Sequence, residues 1–266
     1  AGRPAAAVPS TGVAIRAIAL NTFREAIRDR ILYLLLVFGL LLIVSSVVLS
    51  LLTVGSEIKI IKDIGLASIS VFGVLISVFI GIGLVSREIQ RRTIYTVVTK
   101  PVYRYQFLLG KYLGLLLTIF CNVALMTLIF ATVLFLKGGT VEWIVLLAVL
   151  MICLELVLVT GFALLFSSFS TPITSAVFTL ALYVTGHLTG GLLLLKEHVK
   201  SGFGRWCCDA LFYALPNLEL FNLKHQAVHG LPLHEGQLLL ALMYGLLYAS
   251  AVFVLTVAIF RRRDFQ

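Results

Sequence analysis

Six stretches of this chain stay apolar for twenty residues or more: 31 to 52, 66 to 85, 112 to 136, 143 to 166, 173 to 195 and 237 to 260. Crossing roughly 30 Å of hydrocarbon takes about 20 helical residues, so each is long enough to span a bilayer. Membrane-spanning strands alternate apolar and polar residues over about ten positions, whereas Ile31 to Leu42 and Ile144 to Leu154 run apolar without alternation. In lipid the backbone must pair with itself, which leaves helices. The fold class expected is therefore all-α, a polytopic membrane protein with six transmembrane helices that take up about half of the 266 residues. No remaining stretch is long enough for a separate catalytic domain of ordinary size. Composition agrees: 60% of residues are hydrophobic and 12% charged, against about 25% charged in a soluble domain.

An even number of spans puts both ends on one side. With the ends in the cytoplasm, the inner segments carry 14 Lys and Arg and the outer segments 7, over similar lengths. This follows the positive-inside rule, and Arg261, Arg262 and Arg263 form a local anchor directly after the last span. The net charge of +9 is read as attraction to anionic headgroups, not as a nucleic-acid signal. Residues 1–12, rich in Ala, Gly and Pro, are expected to be a disordered tail. The first apolar run starts only at Ile31 and is too long for the h-region of a signal peptide. Cys121 and Cys153 fall inside spans, and Cys207 and Cys208 are adjacent on the outer side, where oxidising conditions permit disulfides.

Two segments outside the lipid are informative. Residues 13–30 place Ile15, Ile18, Ala19, Phe23, Ala26 and Ile27 on one helical face, with Arg16, Arg24 and Arg28 on a neighbouring row. That pattern predicts an amphipathic helix lying in the cytoplasmic interface; the alternative is an extension of the first span. The inner loop, 86–111, begins with a stretch able to form a short helix bearing Arg87, Glu88, Arg91 and Arg92. It breaks at Pro101 and continues through Tyr103, Arg104 and Tyr105 into the third span.

The order Glu88, Thr93, Pro101, Arg104, Gly110, Lys111 in this loop resembles the cytoplasmic loop of ABC-transporter permeases of the ABC-2 type, the six-helix exporter class. One residue departs from that pattern: Arg92 stands where the family commonly has Gly before the Thr. The segment Phe23 to Arg30 looks like the family's connecting helix. The run Pro216-Asn217-Leu218-Glu219-Leu220-Phe221-Asn222 looks like the segment before its last span, and Phe260 to Phe265 looks like its tail.

The resemblance implies a permease subunit of an ATP-driven exporter in the bacterial cytoplasmic (inner) membrane. It implies two permease copies, or one copy and a paralogue, with two copies of an ABC ATPase subunit beneath them. Coupling to that ATPase falls to Arg87, Glu88, Arg91, Arg92 and Thr93. The chain has no G-x-x-x-x-G-K-[ST] phosphate loop, so ATP and Mg are expected on the partner, with no cofactor in this chain. Gly186 and Gly190, four apart in the fifth span, permit close helix approach, and the resemblance gives that span to the dimer seam.

Three strongly polar residues lie inside spans: Asn122, Glu155 and His187. A carboxylate at mid-membrane costs several kcal/mol unless paired, protonated or facing water. Glu155 is thus either a pathway residue or a neutral interhelical hydrogen-bonding group, and His187 either touches cargo or its symmetry mate or makes a structural hydrogen bond. Ser45, Ser46, Thr179 and Thr185 are further candidates to line a pathway. The outer connection, 196–236, is amphipathic around Trp206 to Leu223 and is expected to form short helices split at Pro216. Its histidines at 198, 225, 229 and 234 show no metal-ligand set; Gly230 and Pro232 argue against a stable helix carrying His225 and His229.

Catalysis by the chain is not expected. There is no G-x-S-x-G, and His234-Glu235-Gly236-Gln237-Leu238 lacks the second His of a zinc protease motif. An ion channel or secondary carrier stays open as an alternative, as does an ABC complex that transmits conformational change without moving a substrate. Scarce charge within the spans favours a lipid-like, glycolipid or peptide cargo.

Overall fold

The structure is a computed structural model, which describes residues 11–52, 56–90, 103–189, 202, 205, 215–232 and 236–262; for 84–90, 104, 261 and 262 the description is of the backbone alone. Among the described residues every regular element is helical. In chain order these are α1 (Thr11–Ile27), α2 (Arg30–Ser50), α3 (Glu57–Gln90), α4 (Arg104–Leu136), α5 (Trp143–Phe169) and α6 (Pro172–His187). A 3-10 turn (Leu218–Phe221), α7 (Lys224–His229) and α8 (Gln237–Arg262) follow.

Five of them, α2, α3, α4, α5 and α8, are long and apolar enough to cross a membrane. They coincide with five of the six expected spans. The expected span 173–195 is described as α6, whose 16 residues rise only about 24 Å; the stretch 190–200 lies outside the described residues. Helices also outrun their apolar segments. α3 starts at Glu57 instead of 66, and α4 at Arg104 instead of 112. Apolarity marks only the part of a helix in lipid, whereas helical packing continues past it: Ile61, Lys62, Gly65 and Leu66 are buried while Glu57, Lys59 and Asp63 on the opposite face are exposed. Likewise Thr11 and Gly12, expected in the tail, open α1.

Local chemistry sets the breaks. Asp29 ends the α1 segment and caps α2, its carboxylate accepting from the Ile31 N–H at 3.0 Å. α1 is therefore a separate helix and not an extension of the first span. Thr171 caps α6 with Pro172 in its first turn, where a missing N–H costs nothing. Gly138, at φ 73°, turns the chain between α4 and α5.

α3 and α5 form the centre of the bundle: 67% of the apolar window of α3 is buried, against 22% for α8. α2 and α4 pack against α3, and α6 and α8 against α5. Large apolar side chains on the outer faces, such as Phe38, Leu128 and Leu247, stay exposed, as a lipid-facing surface requires.

α1 docks along the beginning of α4. Its buried side is Ala14, Thr22 and Ala26, with Ile15, Ile18, Ala19 and Phe23 partly covered; Ile27, expected on that face, is exposed, as are Arg16, Arg24 and Arg28. The contact rests on Gly110 and Gly114. A Cβ on Gly110 would stand 2.7 Å from Ile18, and one on Gly114 would stand 2.5 Å from the Ala19 carbonyl oxygen and 2.6 Å from Thr22. This is the small-xxx-small spacing that lets helix backbones touch. Gly114→Leu is expected to lift α1 from α4 and to cost about 1–3 kcal/mol through overpacking. A lowered unfolding midpoint together with faster proteolysis at Arg24 and Arg28 checks this; an unchanged cleavage pattern would contradict the docking.

Candidate functional site

Polar groups within the bundle divide into those satisfied by their own helix and those that link helices. Asn122 belongs to the first set, donating from its amide nitrogen to the Thr118 carbonyl at 2.8 Å. So do Ser45, Ser46, Thr179 and Thr185, whose hydroxyls donate to the carbonyls of Leu42, Ile43, Ser175 and Ala181. In hydrocarbon a hydroxyl without such a bond costs several kcal/mol, and a carbonyl one turn back is the nearest remedy.

Glu155 and His187 link helices. Glu155 of α5 is 1% exposed, and its Oε1 lies 3.3 Å from Nε2 of His187 at the end of α6. The His187 Nδ1 faces the Tyr183 carbonyl at 3.2 Å, and the Tyr183 hydroxyl lies 3.4 Å from the hydroxyl of Ser70 on α3. Three helices thus meet in one polar cluster. The sequence singles out Glu155 and His187 separately; their pairing across two helices is what the fold adds.

Directly beside this cluster, the 215–229 segment turns back into the bundle. Leu218, Phe221, Leu223 and Ala227 are buried in the core, and α7 packs on α3 and α5. Gly186 makes this possible, because a Cβ there would stand 2.8 Å from Leu218 and 2.9 Å from the Pro216 carbonyl oxygen. The close approach that Gly186 allows is therefore to a segment of its own chain; Gly190 lies outside the described residues. Thr189 donates to Asn217 Oδ1 at 3.0 Å, and the Asn217 N–H donates to the Tyr244 hydroxyl of α8 at 2.9 Å. After Pro216 come the 3-10 turn and α7; the other side of the expected split, 206–214 with Cys207 and Cys208, lies outside the described residues.

Two neighbouring cavities, about 520 and 530 Å³, open between α3, the α4–α5 turn and α7, sharing Ser56, Lys59, Val228 and His229 in their walls. Lys62, 5% exposed, spans one wall and pairs with Glu142 at 2.8 Å. Lys62 falls before the expected span 66 to 85; the signal for its burial is its position one residue after Ile61 and four before Leu66 on the packed face of α3. His225 and His229 do lie on a helix, contrary to expectation, because Gly230 at φ 65° ends α7 as a left-handed cap after one and a half turns. No group of three or more His, Cys, Asp or Glu able to hold a metal stands together among the described residues.

The opposite end carries the coupling candidates. Arg87 and Glu88 lie in the last turn of α3, which runs on from the membrane without interruption; Arg91, Arg92 and Thr93 lie outside the described residues, as does Pro101. Arg104 starts α4. Gly110 and Lys111, six and seven residues on, meet α1: Gly110 by close approach, and Lys111, almost wholly buried, by an ion pair to Glu25 at 3.7 Å. Contact of Gly81 with Leu115 places the end of α3 level with the start of α4. A cavity of about 800 Å³ lies at the α1–α2 junction, lined by Asn21, Arg24, Glu25, Ile27, Arg28 and Asp29.

A bundle of long apolar helices with a docked amphipathic helix defines a multi-pass membrane protein. Residues 16–265 match the family described as ABC-2 family transporter protein, and the chain belongs to that family. No curated protein sequence matches it.

The Lys62–Glu142 pair yields a test of this cavity wall. Glu142→Ala leaves a buried ammonium without its partner and is expected to cost about 1–3 kcal/mol, whereas Lys62→Met removes the buried charge, leaves only the half-exposed Glu142 carboxylate unpaired, and should cost less. Unfolding midpoints of both variants in the same detergent would decide it; equal losses would mean that the pair contributes nothing specific.

Proposed function

We propose that this ABC-2 permease subunit exports an amphipathic or apolar cargo, lipid-like, glycolipid or peptide, using ATP hydrolysed by a separate ABC ATPase. The observation that carries the reading is the family match, which extends from within α1 to beyond α8 and so includes the loop between α3 and α4. Membership of the family supplies an ABC ATPase as the general partner. The rest is our reading: two permease copies or a copy and a paralogue, two ATPase subunits holding ATP and Mg, and both termini on the cytoplasmic side of a bacterial inner membrane. Hydrolysis belongs to the partner, since this sequence carries no phosphate loop.

The physical support for coupling is the way α1 and α4 are joined. A push on the loop that follows Gln90 arrives at the N-terminal end of α4, and Gly110, Gly114 and the Lys111–Glu25 pair fasten that end to α1. Packed elements of this kind move as rigid bodies. Arg87, Glu88, Arg91, Arg92 and Thr93 are assigned to the ATPase contact. An apolar cargo fits the scarcity of free charge inside the bundle, where the one acidic side chain in mid-span is already paired with His187.

Purification from the native membrane in mild detergent is expected to bring down an ATPase carrying the phosphate loop and vanadate-sensitive ATP hydrolysis. If the chain emerges alone under several extraction conditions, the channel or carrier reading replaces this one. In the reconstituted complex, Glu88→Ala with Arg91→Ala should weaken ATPase association at least severalfold and leave the helical content unchanged. Full assembly and turnover in that double variant would remove both residues from the coupling role. Turnover raised by a lipid, a lipid-linked glycan or a peptide supports the cargo class, and turnover raised only by a soluble ion contradicts it.

A further inference from the structure

The length of α3 places one pair of cavities in the bilayer. Lys59 and Arg87 stand on this uninterrupted helix, about 42 Å apart along its axis at 1.5 Å per residue. A bilayer with its headgroup regions is about 40–45 Å thick. With the loop after Gln90 at one membrane surface, Lys59 therefore stands at the headgroup level of the other. Trp143 marks the same level. It opens α5 next to Glu142 and is 72% exposed, as aromatic anchors at a membrane–water boundary are.

The two adjoining cavities that share Lys59 and His229 open at this level. Lys62 and Lys137 line one of them and Lys224 the other; the carboxylates in their walls are Glu57, Glu142 and Asp63. The two histidines aside, four lysines face three carboxylates, an excess of one positive charge. Depth separates the signs: the Lys62 side chain is buried, whereas Glu57 and Asp63 are exposed and Glu142 is half-exposed. An ammonium has three donors. Lys62 gives one to Glu142 at 2.8 Å, and among the described residues no second acceptor is bonded to it. Two buried, charged donors thus remain for a group that enters the cavity. Ile58, 38% exposed, adds an apolar stretch to the same wall.

We propose that these cavities hold the phosphate of a singly charged phosphodiester, bound by Lys62 from within and by Lys59 and Lys137 at the mouth. One negative charge matches the excess in the lining, and hydrogen bonds from an ammonium to a phosphate oxygen are among the stronger ones. A doubly charged monoester would meet the exposed carboxylates of Glu57 and Asp63 with charge to spare. The diester comes either from a lipid headgroup, which lies at this depth and has Ile58 beside it for its apolar part, or from a soluble ester. This deepens the cargo reading, on which any use of the site in transport rests; binding itself is a property of the single chain.

Native mass spectrometry of the full chain, released from nonionic detergent after incubation with phosphatidylglycerol or with diacylglycerol of the same acyl chains, tests this. Phosphatidylglycerol should be retained and diacylglycerol, which lacks the phosphate, should not. Lys59→Gln with Lys137→Gln should lower retention severalfold, and Lys62→Met, which removes the buried donors, should do so independently should the double variant fail to fold. Arg24→Ala with Arg28→Ala, at the opposite surface, should leave it unchanged. Excess dimethyl phosphate separates the two sources: displacement of the lipid assigns the site to a soluble diester, and persistence of the lipid assigns it to the headgroup. Equal retention of both lipids, wild-type retention in the lysine variants, or an equal loss in the arginine variant would overturn the site. None of these results bears on ATPase co-purification, so the site and the permease reading fail separately.

Discussion

A polar group inside hydrocarbon must find its partner within the protein, and that requirement fixes more of this molecule than apolar contact does. Lipid tails are as apolar as leucine, so helices gain little by burying Leu against Leu. An unpaired hydroxyl, amide or charge costs several kcal/mol. Most polar side chains here meet the demand within one turn of their own helix, as Asn122 and Thr118 do. Others reach beyond their own helix, Glu155 lying against His187 and Tyr183 against Ser70, and so bear on the arrangement of α3, α5 and α6.

Close backbone contact does the same work at the other end. The Ala19 carbonyl and Thr22 sit against Gly114 at distances no side chain could occupy, and Lys111 is buried against Glu25 one turn away. The two devices differ in kind. Steric contact at glycine depends on shape alone, whereas a buried Glu set beside a His depends on charge and its desolvation. The bundle uses the first device at one end and the second where α6 meets α5.

The all-helical class and five of the spans were legible in the sequence because continuous apolarity over twenty residues has few other solutions. Helix ends were not, since α3 and α4 continue as amphipathic helices beyond their apolar runs and only their packing on neighbours, Ile61 and Leu66 in α3 for example, marks them as helical. Glu155 and His187 stood out for their cost in lipid, but 32 positions separate them in the chain, and nothing local in either segment announces the pairing. The Gly110-x-x-x-Gly114 spacing was visible and could have been read as a helix contact in the way Gly186 and Gly190 were. The partner of that contact, α1, lies outside the apolar runs, so nothing in the spans themselves pairs Gly110 and Gly114 with it.

These features give the bundle a direction. The coupling candidates, the α1–α4 contact and the cavity at the α1–α2 junction occupy one end; the re-entrant 215–229 segment, the Lys62–Glu142 pair and two charged cavities occupy the other. Between them stands α6, whose described residues rise about 24 Å and touch α3, α5 and the 3-10 turn together. Among the described residues α6 packs on α3, α5 and the 3-10 turn, so a rotation of α4 has to pass through those neighbours to reach it. The polar cluster at Glu155 is where α3, α5 and α6 meet, so a displacement carried to α6 through the centre of the bundle passes beside it.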